Sequence, residues 1–340
     1  MSQKSFLSVL LWIASLSAAP AYAQTLINGA GATFPYPIYS KWFDEYHKLH
    51  PDIQINYQSI GSGGGIRQVG ELVVDFGATD GPMTDEQLKK SRTKLLHFPT
   101  ALGAAVPTYD IPGLATDLRF TPEALAGMFL GEIKKWDDPR IAKANPGVRL
   151  PSENIVVVHR SDGSGTTYVW TDYLGKVSKD WERKVGRGTS VKWPAGLGGK
   201  GNEGVSALVK QIPYSVGYVE LIYAEQSKLP HGMVQNRSGA FVKATLKSTS
   251  AAGAGAAREM PPDFRVSITN PQGKEAYPIA SFTWLLIPEK IPDPKKGKAL
   301  VGFLKWMLKD GQKYATQLLY APLPAEVIAM EEKAIQKIKY

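Results

Sequence analysis

The sequence predicts an α/β fold with two domains, on the basis of three observations. Strand-like runs alternate with helix-like runs along the chain, which is typical of layered α/β structure. The 317 residues from Gln24 to Tyr340 exceed the usual size of a single hydrophobic core. Two glycine-rich loops also follow directly on predicted strands and lead into predicted helices, as in strand–loop–helix units that bind ligands.

The individual elements follow from hydrophobic periodicity. Between Pro35 and Leu49 apolar residues recur every three or four positions, which predicts a helix with proline in its first turn. The segment from Ser248 to Ala257 is small-residue rich and of low complexity, and it is interpreted as a surface loop. The other predicted elements are, in order, a strand at 53–57, a helix near 66–72, a strand near 73–78, a helix at 121–129, a strand at 155–159, a helix near 167–174, a strand at 281–287, a helix at 300–308 that ends near Gly311, and a last helix at 325–339.

Residues 1–23 have the pattern of a cleavable export signal. Lys4 precedes an apolar run at 6–16, and Ala21-Tyr22-Ala23 fits the small-x-small cleavage rule. The apolar run is shorter than the roughly 20 residues of a membrane span. We therefore expect cleavage after Ala23 and a periplasmic protein without a membrane anchor.

The sequence contains no cysteine. This excludes disulfides, thiolate metal sites, cysteine nucleophiles and the cysteine that anchors a bacterial lipoprotein. The formal charge of +9 is spread along the chain, with only short runs such as 295–298. Such a pattern indicates a solvated basic surface with at most a weak attraction for anions. Nucleic acid is not an expected partner, because the chain looks exported and lacks a basic stripe interleaved with aromatic residues.

Three loops rich in glycine and hydroxyl residues precede predicted helices, at 30–35, 61–65 and 160–166. The first turn of a helix has unpaired N–H groups and the positive end of a dipole, so it suits an anion. Arg160 begins the third loop and could bond two oxygens at once. Hydroxyl donors would come from Thr33, Ser62, Ser164 and Thr166. Ordinary turns with helix caps remain the alternative for each loop.

Two aspartates stand beside these loops. Asp80 follows a predicted strand and is either a turn residue or an acceptor inside an oxyanion pocket. In the pocket its carboxylate would accept a hydrogen bond from the O–H of protonated phosphate. It would disfavour the binding of sulfate, which has no proton at neutral pH. Asp162 could brace the Arg160 guanidinium or cap a turn.

Other chemistry has weaker support. His47 and His50 could share a helix face with Asp44, but this spacing is common on solvated helices and does not predict a metal site. Ser164 has neither an elbow motif nor an assignable base. We expect no catalytic residue, no metal and no cofactor.

At these residues the chain resembles the periplasmic phosphate-binding proteins of high-affinity phosphate ABC transporters. The likeness covers nearly all of the chain after residue 23. The matching blocks are Gly29-Ala30-Gly31-Ala32-Thr33-Phe34-Pro35, Tyr57-Gln58-Ser59-Ile60-Gly61-Ser62-Gly63-Gly64, Asp75-Phe76-Gly77-Ala78-Thr79-Asp80, Leu130-Gly131-Glu132-Ile133-Lys134-Lys135-Trp136-Asp137-Asp138, Asp162-Gly163-Ser164-Gly165-Thr166, Trp193-Pro194-Ala195-Gly196-Leu197-Gly198-Gly199-Lys200-Gly201 and Gly217-Tyr218-Val219-Glu220.

The resemblance implies a two-lobed periplasmic-binding-protein fold of type II, the Venus-flytrap arrangement, with a hinge of crossing segments. Lobe one would comprise residues 24–104 and 275–340, and lobe two residues 105–274. It also implies that Asp162 supports Arg160 and that Asp80 reads the phosphate proton. The phosphate contacts it implies are Ala32, Thr33, Phe34, Ser62, Asp80, Arg160, Ser164, Gly165 and Thr166.

The implied function is capture of inorganic phosphate and its delivery to the permease subunits of the transporter, by a monomer that catalyses no reaction. Gly63 stands where the family commonly has a second serine, and His159 stands where a basic residue is frequent. Three alternatives remain: a secreted phosphomonoesterase, a receptor for another tetrahedral anion such as sulfate or molybdate, and an adhesion or scaffolding protein with the same fold.

Overall fold

A computed structural model describes residues 24–114 and 116–340, so the predicted export signal at 1–23 lies outside the described residues. The strands are β1 (Thr25–Gly31), β2 (Ile53–Ser59), β3 (Phe76–Thr79), β4 (Leu95–Asp110), β5 (Arg119–Phe120), β6 (Val156–Arg160), β7 (Leu197–Gly199), β8 (Ser215–Glu220), β9 (Met233–Gln235), β10 (Phe241–Val242) and β11 (Ala280–Pro288). The helices are α1 (Tyr36–Leu49), α2 (Ser62–Gly70), α3 (Asp85–Lys90), α4 (Pro122–Phe129), α5 (Pro139–Ala142), α6 (Gly165–Val177), α7 (Lys179–Lys184), α8 (Gly201–Gln211), α9 (Leu221–Ser227), α10 (Leu246–Ala257), α11 (Pro294–Trp306), α12 (Gln312–Ala315) and α13 (Ala325–Ala334).

Eight strands form one mixed sheet in the order β2-β1-β3-β11-β4-β8-β6-β7. The long strand β4 joins its two halves. Up to Ala104 it pairs antiparallel with β11, and from Ala105 to Asp110 it pairs antiparallel with β8. We call the strands on the β11 side the first half-sheet and those on the β8 side the second half-sheet. The predicted α/β architecture is confirmed.

Helix α1 packs on the first half-sheet through the apolar face that its periodicity predicts. Tyr39, Trp42 and Phe43 are buried on this face, and the rings of Tyr39 and Trp42 stack with centroids 5.8 Å apart. In the second half-sheet α6 is anchored in the same way, since Trp170 is buried and stacks on Tyr218 of β8 at 5.0 Å. Both helices therefore have fixed positions, and both begin at the candidate site.

The interpretation of Ser248–Ala257 as a surface loop is wrong, because these residues lie in helix α10. Thr245 and Ser248 form a capping box at its start, and Ala252 and Gly253 are buried. A β-carbon at Gly253 would lie 2.3 Å from the side chain of Leu102 in β4, so the small residue permits close packing. Alanine is the strongest helix former, and a face of alanine and glycine can pack without the large apolar residues that mark a helix in the sequence.

Several predicted boundaries also shift. Helix α2 begins at Ser62 and α6 at Gly165, both inside the stretches assigned to loops. Strand β3 begins at Phe76 rather than near Val73, and the last helix ends at Ala334. No helix in the described part of the chain is long and apolar enough to cross a bilayer.

Candidate functional site

The candidate site lies at the carboxyl ends of the parallel strands, between the two half-sheets. Residues 32–34 follow β1, Ser62 begins α2 after β2, and Asp80 follows β3. From the other side, Arg160 ends β6 and the loop through Asp162 leads to Ser164 at the start of α6. Parallel strands place their following loops at one edge of a sheet, which explains why distant segments of the sequence converge here.

Asp80 is buried, with 1% of its surface exposed. Its Oδ1 accepts a hydrogen bond from the Thr283 hydroxyl at 2.8 Å, and its Oδ2 lies 3.5 Å from the Ser62 hydroxyl oxygen. Burial raises the pKa of Asp80 to about 7, although Thr283, the charge of Arg160 and Ser62 act in the opposite direction. The carboxyl group is therefore a buried acceptor with few donors of its own.

Arg160 is held by Asp162 through two hydrogen bonds. The Arg160 Nε donates to Asp162 Oδ1 at 2.8 Å, and Nη2 donates to Oδ2 at 2.5 Å. The backbone N–H of Gly201 also donates to Asp162 at 3.0 Å. Burial acts to raise the pKa of Asp162, but the hydrogen bonds and charge of Arg160 outweigh it and lower this pKa. The guanidinium is thus oriented and largely neutralised by Asp162 itself.

The hydroxyl groups at the site have oxygens that accept hydrogen bonds from the protein. The Ser164 Oγ accepts from the N–H of Thr167 as the cap of α6, and the Ser62 Oγ accepts from the N–H of Asp80. The Thr166 Oγ1 accepts from Arg160 Nη1 at 3.2 Å. Because these oxygens already accept, their O–H hydrogens are left to donate: that of Ser62 faces Asp80 Oδ2, and those of Ser164 and Thr166 suit an anionic guest.

Asn202, at the start of α8, joins two of the site residues. Its Nδ2 donates to the Thr33 Oγ1 at 2.7 Å and to the Thr166 Oγ1 at 3.2 Å, and its Oδ1 accepts from the N–H of Glu220 at 2.9 Å. Asn202 is fully buried. It turns both threonine hydroxyls into donors and links the first half-sheet to the second.

The two sides of the site touch each other through glycines. The N–H of Gly63 donates to the carbonyl of Gly163 at 2.8 Å. A β-carbon at Gly165 would lie 2.4 Å from Asp80 Oδ2, and one at Gly61 would lie 2.3 Å from Asp162 Oδ2. The two sides are therefore in direct contact, and a side chain at Gly61 or Gly165 would clash with the opposite side.

All of the residues predicted for the site lie at this place, but they differ in which donor and acceptor groups are free to contact a ligand. The N–H of Ala32 is bonded to the carbonyl of Ala78, so it does not offer this donor to a ligand. The carbonyl of Phe34 accepts from the hydroxyl of Tyr320, and that of Thr33 accepts from Tyr223. Within the described residues, the hydroxyl of Ser164 bonds to the N–H of Thr167 and not to a base that could activate it as a nucleophile.

Sequence reasoning missed Asn202, Thr283, Tyr223 and Tyr320. Asn202 directly follows the Gly198–Gly201 run, which could have drawn attention to it. Thr283 is a small residue in a buried apolar strand, where nothing local marks it as the partner of Asp80. Within residues 24–114 and 116–340, no group of three or more His, Cys, Asp or Glu side chains could hold a metal ion.

Comparisons with known proteins agree with the resemblance seen in the sequence. A family model described as the PBP superfamily domain matches residues 17–310. The phosphate-binding protein PstS of Pasteurella multocida is 47% identical over 96% of this chain and 94% of its own length. The phosphate-binding protein PstS of Xylella fastidiosa (strain Temecula1) is 45% identical over 94% of this chain and 88% of its own length.

A solved structure, that of a high-affinity periplasmic phosphate-binding protein (PfluDING) bound with phosphate, has a TM-score of 0.72 and 21% identity, over 90% of this chain and 93% of that one. This likeness confirms the two-lobed α/β fold of periplasmic binding proteins that the sequence predicts. The chain belongs to the PBP superfamily and, within it, to the family of PstS phosphate-binding proteins.

Proposed function

We propose that this protein captures inorganic phosphate between its two lobes and delivers it to the permease subunits of a phosphate ABC transporter. Relatives that share 45–47% of its residues are named phosphate-binding proteins, and that name describes binding rather than catalysis. We also propose that the chain is exported with cleavage after Ala23 and works as a periplasmic monomer. It requires no cofactor.

The proposed ligand contacts are those that converge at the site. Donors come from the backbone and hydroxyls of the loops and from Arg160, and the acceptor is Asp80. The proposed lobes comprise residues 24–104 with 275–340, and residues 105–274. Strand β4 crosses between them, since its pairing changes at Ala104 and Ala105. Phosphate would bridge the lobes and so favour the closed state over an open one.

The single observation that carries the choice of ligand is the buried carboxyl group of Asp80 among donors. An ionised Asp80 needs a guest that brings a proton, and phosphate carries at least one near neutral pH. Sulfate carries none, so it would place an unprotonated oxygen against an ionised carboxylate in a site shielded from water. This contact would cost several kcal/mol of binding free energy. Because the pKa of Asp80 is about 7, the carboxyl group itself takes up a proton below neutrality and then becomes a donor. The rejection of sulfate should therefore weaken as the pH falls.

Calorimetric titration of phosphate and sulfate tests this proposal. The protein should be unfolded and refolded to remove bound ligand, then titrated between pH 5.5 and 8.5. We expect tight phosphate binding throughout. Sulfate binding should be weakest at pH 8.5, should tighten by up to about tenfold for each pH unit down to about 7, and should level off below it, because proton uptake with the ligand is needed only above the pKa of Asp80.

The Asp80→Asn variant supplies the second arm of this experiment. Its amide offers a donor at every pH, so sulfate should bind without the pH dependence seen for the wild type. Asp75→Asn is the matched control, because Asp75 pairs with Lys296 at the other end of β3 and should change neither ligand. If Asp80→Asn excludes sulfate as completely as the wild type does, Asp80 does not select the ligand by its proton. Steady turnover of a chromogenic phosphate ester would contradict the receptor function itself.

A further inference from the structure

The edge of the first half-sheet opposite the site carries an unusual surface, which we call the base. Strands β1, β2 and β3 begin there, β11 ends there, and β4 starts beside the end of β11, since Leu95 pairs with Pro288. With seven residues, β1 places the base about 20 Å from the site loops. The base is therefore remote from the phosphate contacts.

Lysines collect at the base although they are scattered in the sequence. The backbones of Lys290 and Lys339 form a β-bridge, and Lys94 pairs with Glu289 next to them. A groove of about 640 Å³ between the starts of β1 and β2 and helix α11 is lined in part by Lys295, Lys298 and Lys305. The fold thus concentrates a charge that the sequence showed as diffuse.

Most of this charge is not neutralised by neighbouring carboxylates. Glu71, Asp75 and Glu289 pair with Arg92, Lys296 and Lys94, and Asp52 and the helix cap Asp293 are further acids at the base. Six lysines have no carboxylate within 4.0 Å among the described residues, and they are Lys290, Lys295, Lys298, Lys305, Lys337 and Lys339. Cations therefore outnumber the named carboxylates at the base, and its net charge is positive.

Exposed apolar side chains occur at the same edge. Of the large apolar residues that are exposed in the described part of the chain, Tyr36 and Leu197 lie elsewhere, and five lie at strand starts or helix ends on the base. Val73 is the most exposed of them at 69%, and Leu72 beside it has a positive φ of 58° that points to a tight turn. The five are Leu26, Leu49, Leu72, Val73 and Tyr340.

We propose that the base binds the surface of an anionic lipid bilayer. Clustered lysines attract anionic headgroups, and apolar tips between them can enter the interface while the long lysine side chains reach the headgroups. A protein partner fits less well, because protein interfaces are enriched in arginine and depleted in lysine, and all six unpaired cations here are lysines. Such binding would hold the receptor at the membrane that contains its permease and leave the distant site free.

Co-sedimentation with large unilamellar vesicles tests the proposal, with the full mature chain saturated with phosphate. We expect binding to vesicles of phosphatidylcholine with 30% phosphatidylglycerol, none to phosphatidylcholine alone, and release by high salt. The variant K290Q/K295Q/K298Q/K339Q should bind at least tenfold more weakly. The control K143Q/K179Q/K210Q/K228Q removes the same charge from exposed, unpaired lysines of the proposed second lobe and should bind like the wild type.

A second variant separates the apolar contribution from charge. Leu72→Asn with Val73→Ser leaves the net charge unchanged and should weaken vesicle binding severalfold. Failure of the wild-type protein to bind anionic vesicles would overturn the proposal. Equal losses of vesicle binding in the base and control variants would also overturn it. Sedimentation only with vesicles that contain the permease would assign the base to a protein partner instead. Phosphate affinity should be the same in every variant, so failure here is distinct from failure of the proposed function.

Discussion

Asp80 and Asp162 stand on opposite sides of the candidate site, and their surroundings affect them in opposite ways. Asp80, on the first half-sheet, has the Thr283 hydroxyl as its close donor, and burial raises its pKa to about 7. Asp162, on the second, accepts two charged hydrogen bonds from Arg160, and its pKa is lowered. One carboxyl group is therefore kept ready to share a proton, and the other stays ionised.

This difference indicates which part of ligand recognition each side of the site contributes. The charge of Arg160 is already balanced by Asp162, so the second half-sheet supplies oriented donors rather than a bare positive charge. Discrimination between oxyanions then depends on the proton at Asp80. A site that attracted anions by charge alone would favour sulfate as strongly as phosphate.

The largest expected effect comes from Arg160→Ala. It removes a charged donor and leaves the partly buried Asp162 without its partner, and a loss of this kind at a binding site typically costs about 2–5 kcal/mol. We expect phosphate affinity to fall by roughly 100- to 1,000-fold at every pH, as measured by calorimetric titration. Arg140→Ala is the control, because Arg140 forms a similar bond pattern with Asp138 on the surface. Unchanged affinity in Arg160→Ala would remove this residue from the site.

A smaller effect is expected from Gly61→Ala, which addresses how closely the two sides approach. Gly61 has a φ of 88°, and a β-carbon there would lie 2.3 Å from Asp162 Oδ2 and 2.6 Å from the carbonyl of Gly163. The closed state should be strained, and phosphate affinity should fall by roughly 10- to 100-fold. Small-angle scattering with saturating phosphate should show a larger radius of gyration than for the wild type.

Gly239→Ala is the matched control for this variant. Gly239 has a φ of 82°, and a β-carbon there has no neighbour within 4 Å. It therefore adds the same backbone strain without a contact between the two sides. If both variants close and bind equally well, the approach at Gly61 does not limit closure.

Much of the fold could be predicted from the sequence because its signals are local. The apolar periodicity of α1 and the β-branched run of β6 depend only on neighbouring residues. Helix α10 could not be recognised in this way, since its burial depends on the close approach of Gly253 to Leu102 in a distant strand. Low complexity describes its composition but not its packing.

The same distinction between local and distant sequence signals applies to the candidate site. The loops at 61–65 and 160–166 were recognisable because glycines and hydroxyls before a helix have a local meaning. Asn202 acquires its role only when α8 brings it between Thr33 and Thr166, and Thr283 only when β11 lies beside β3. The charge at the base is a further example, because a sum over the sequence does not show where the fold gathers lysines.

The smallest expected effect concerns the stability of the phosphate-free protein. The pKa of Asp80, about 7 in the folded state, lies above the ordinary value of 3.8 that applies when the chain is unfolded. The folded state therefore binds an extra proton between these values, and the contribution of Asp80 to stability is lost as the pH rises toward and through 7. Asp80→Asn has no charge to bury. It should be more stable than the wild type by roughly 1–3 kcal/mol at pH 8, and the difference should shrink toward pH 5.

Asp162→Asn should show the opposite sign, since the folded-state pKa of Asp162 is lowered. The stability that this carboxylate contributes is present above its unfolded pKa and is lost as the pH falls. The variant should therefore be less stable than the wild type at pH 8, and the deficit should diminish in acid. Urea unfolding of the three refolded proteins at pH 5 and pH 8 measures both differences. If the two variants shift in the same direction at pH 8, the two carboxyl groups are not held in opposite states, and the selection of the ligand cannot be assigned to Asp80 alone.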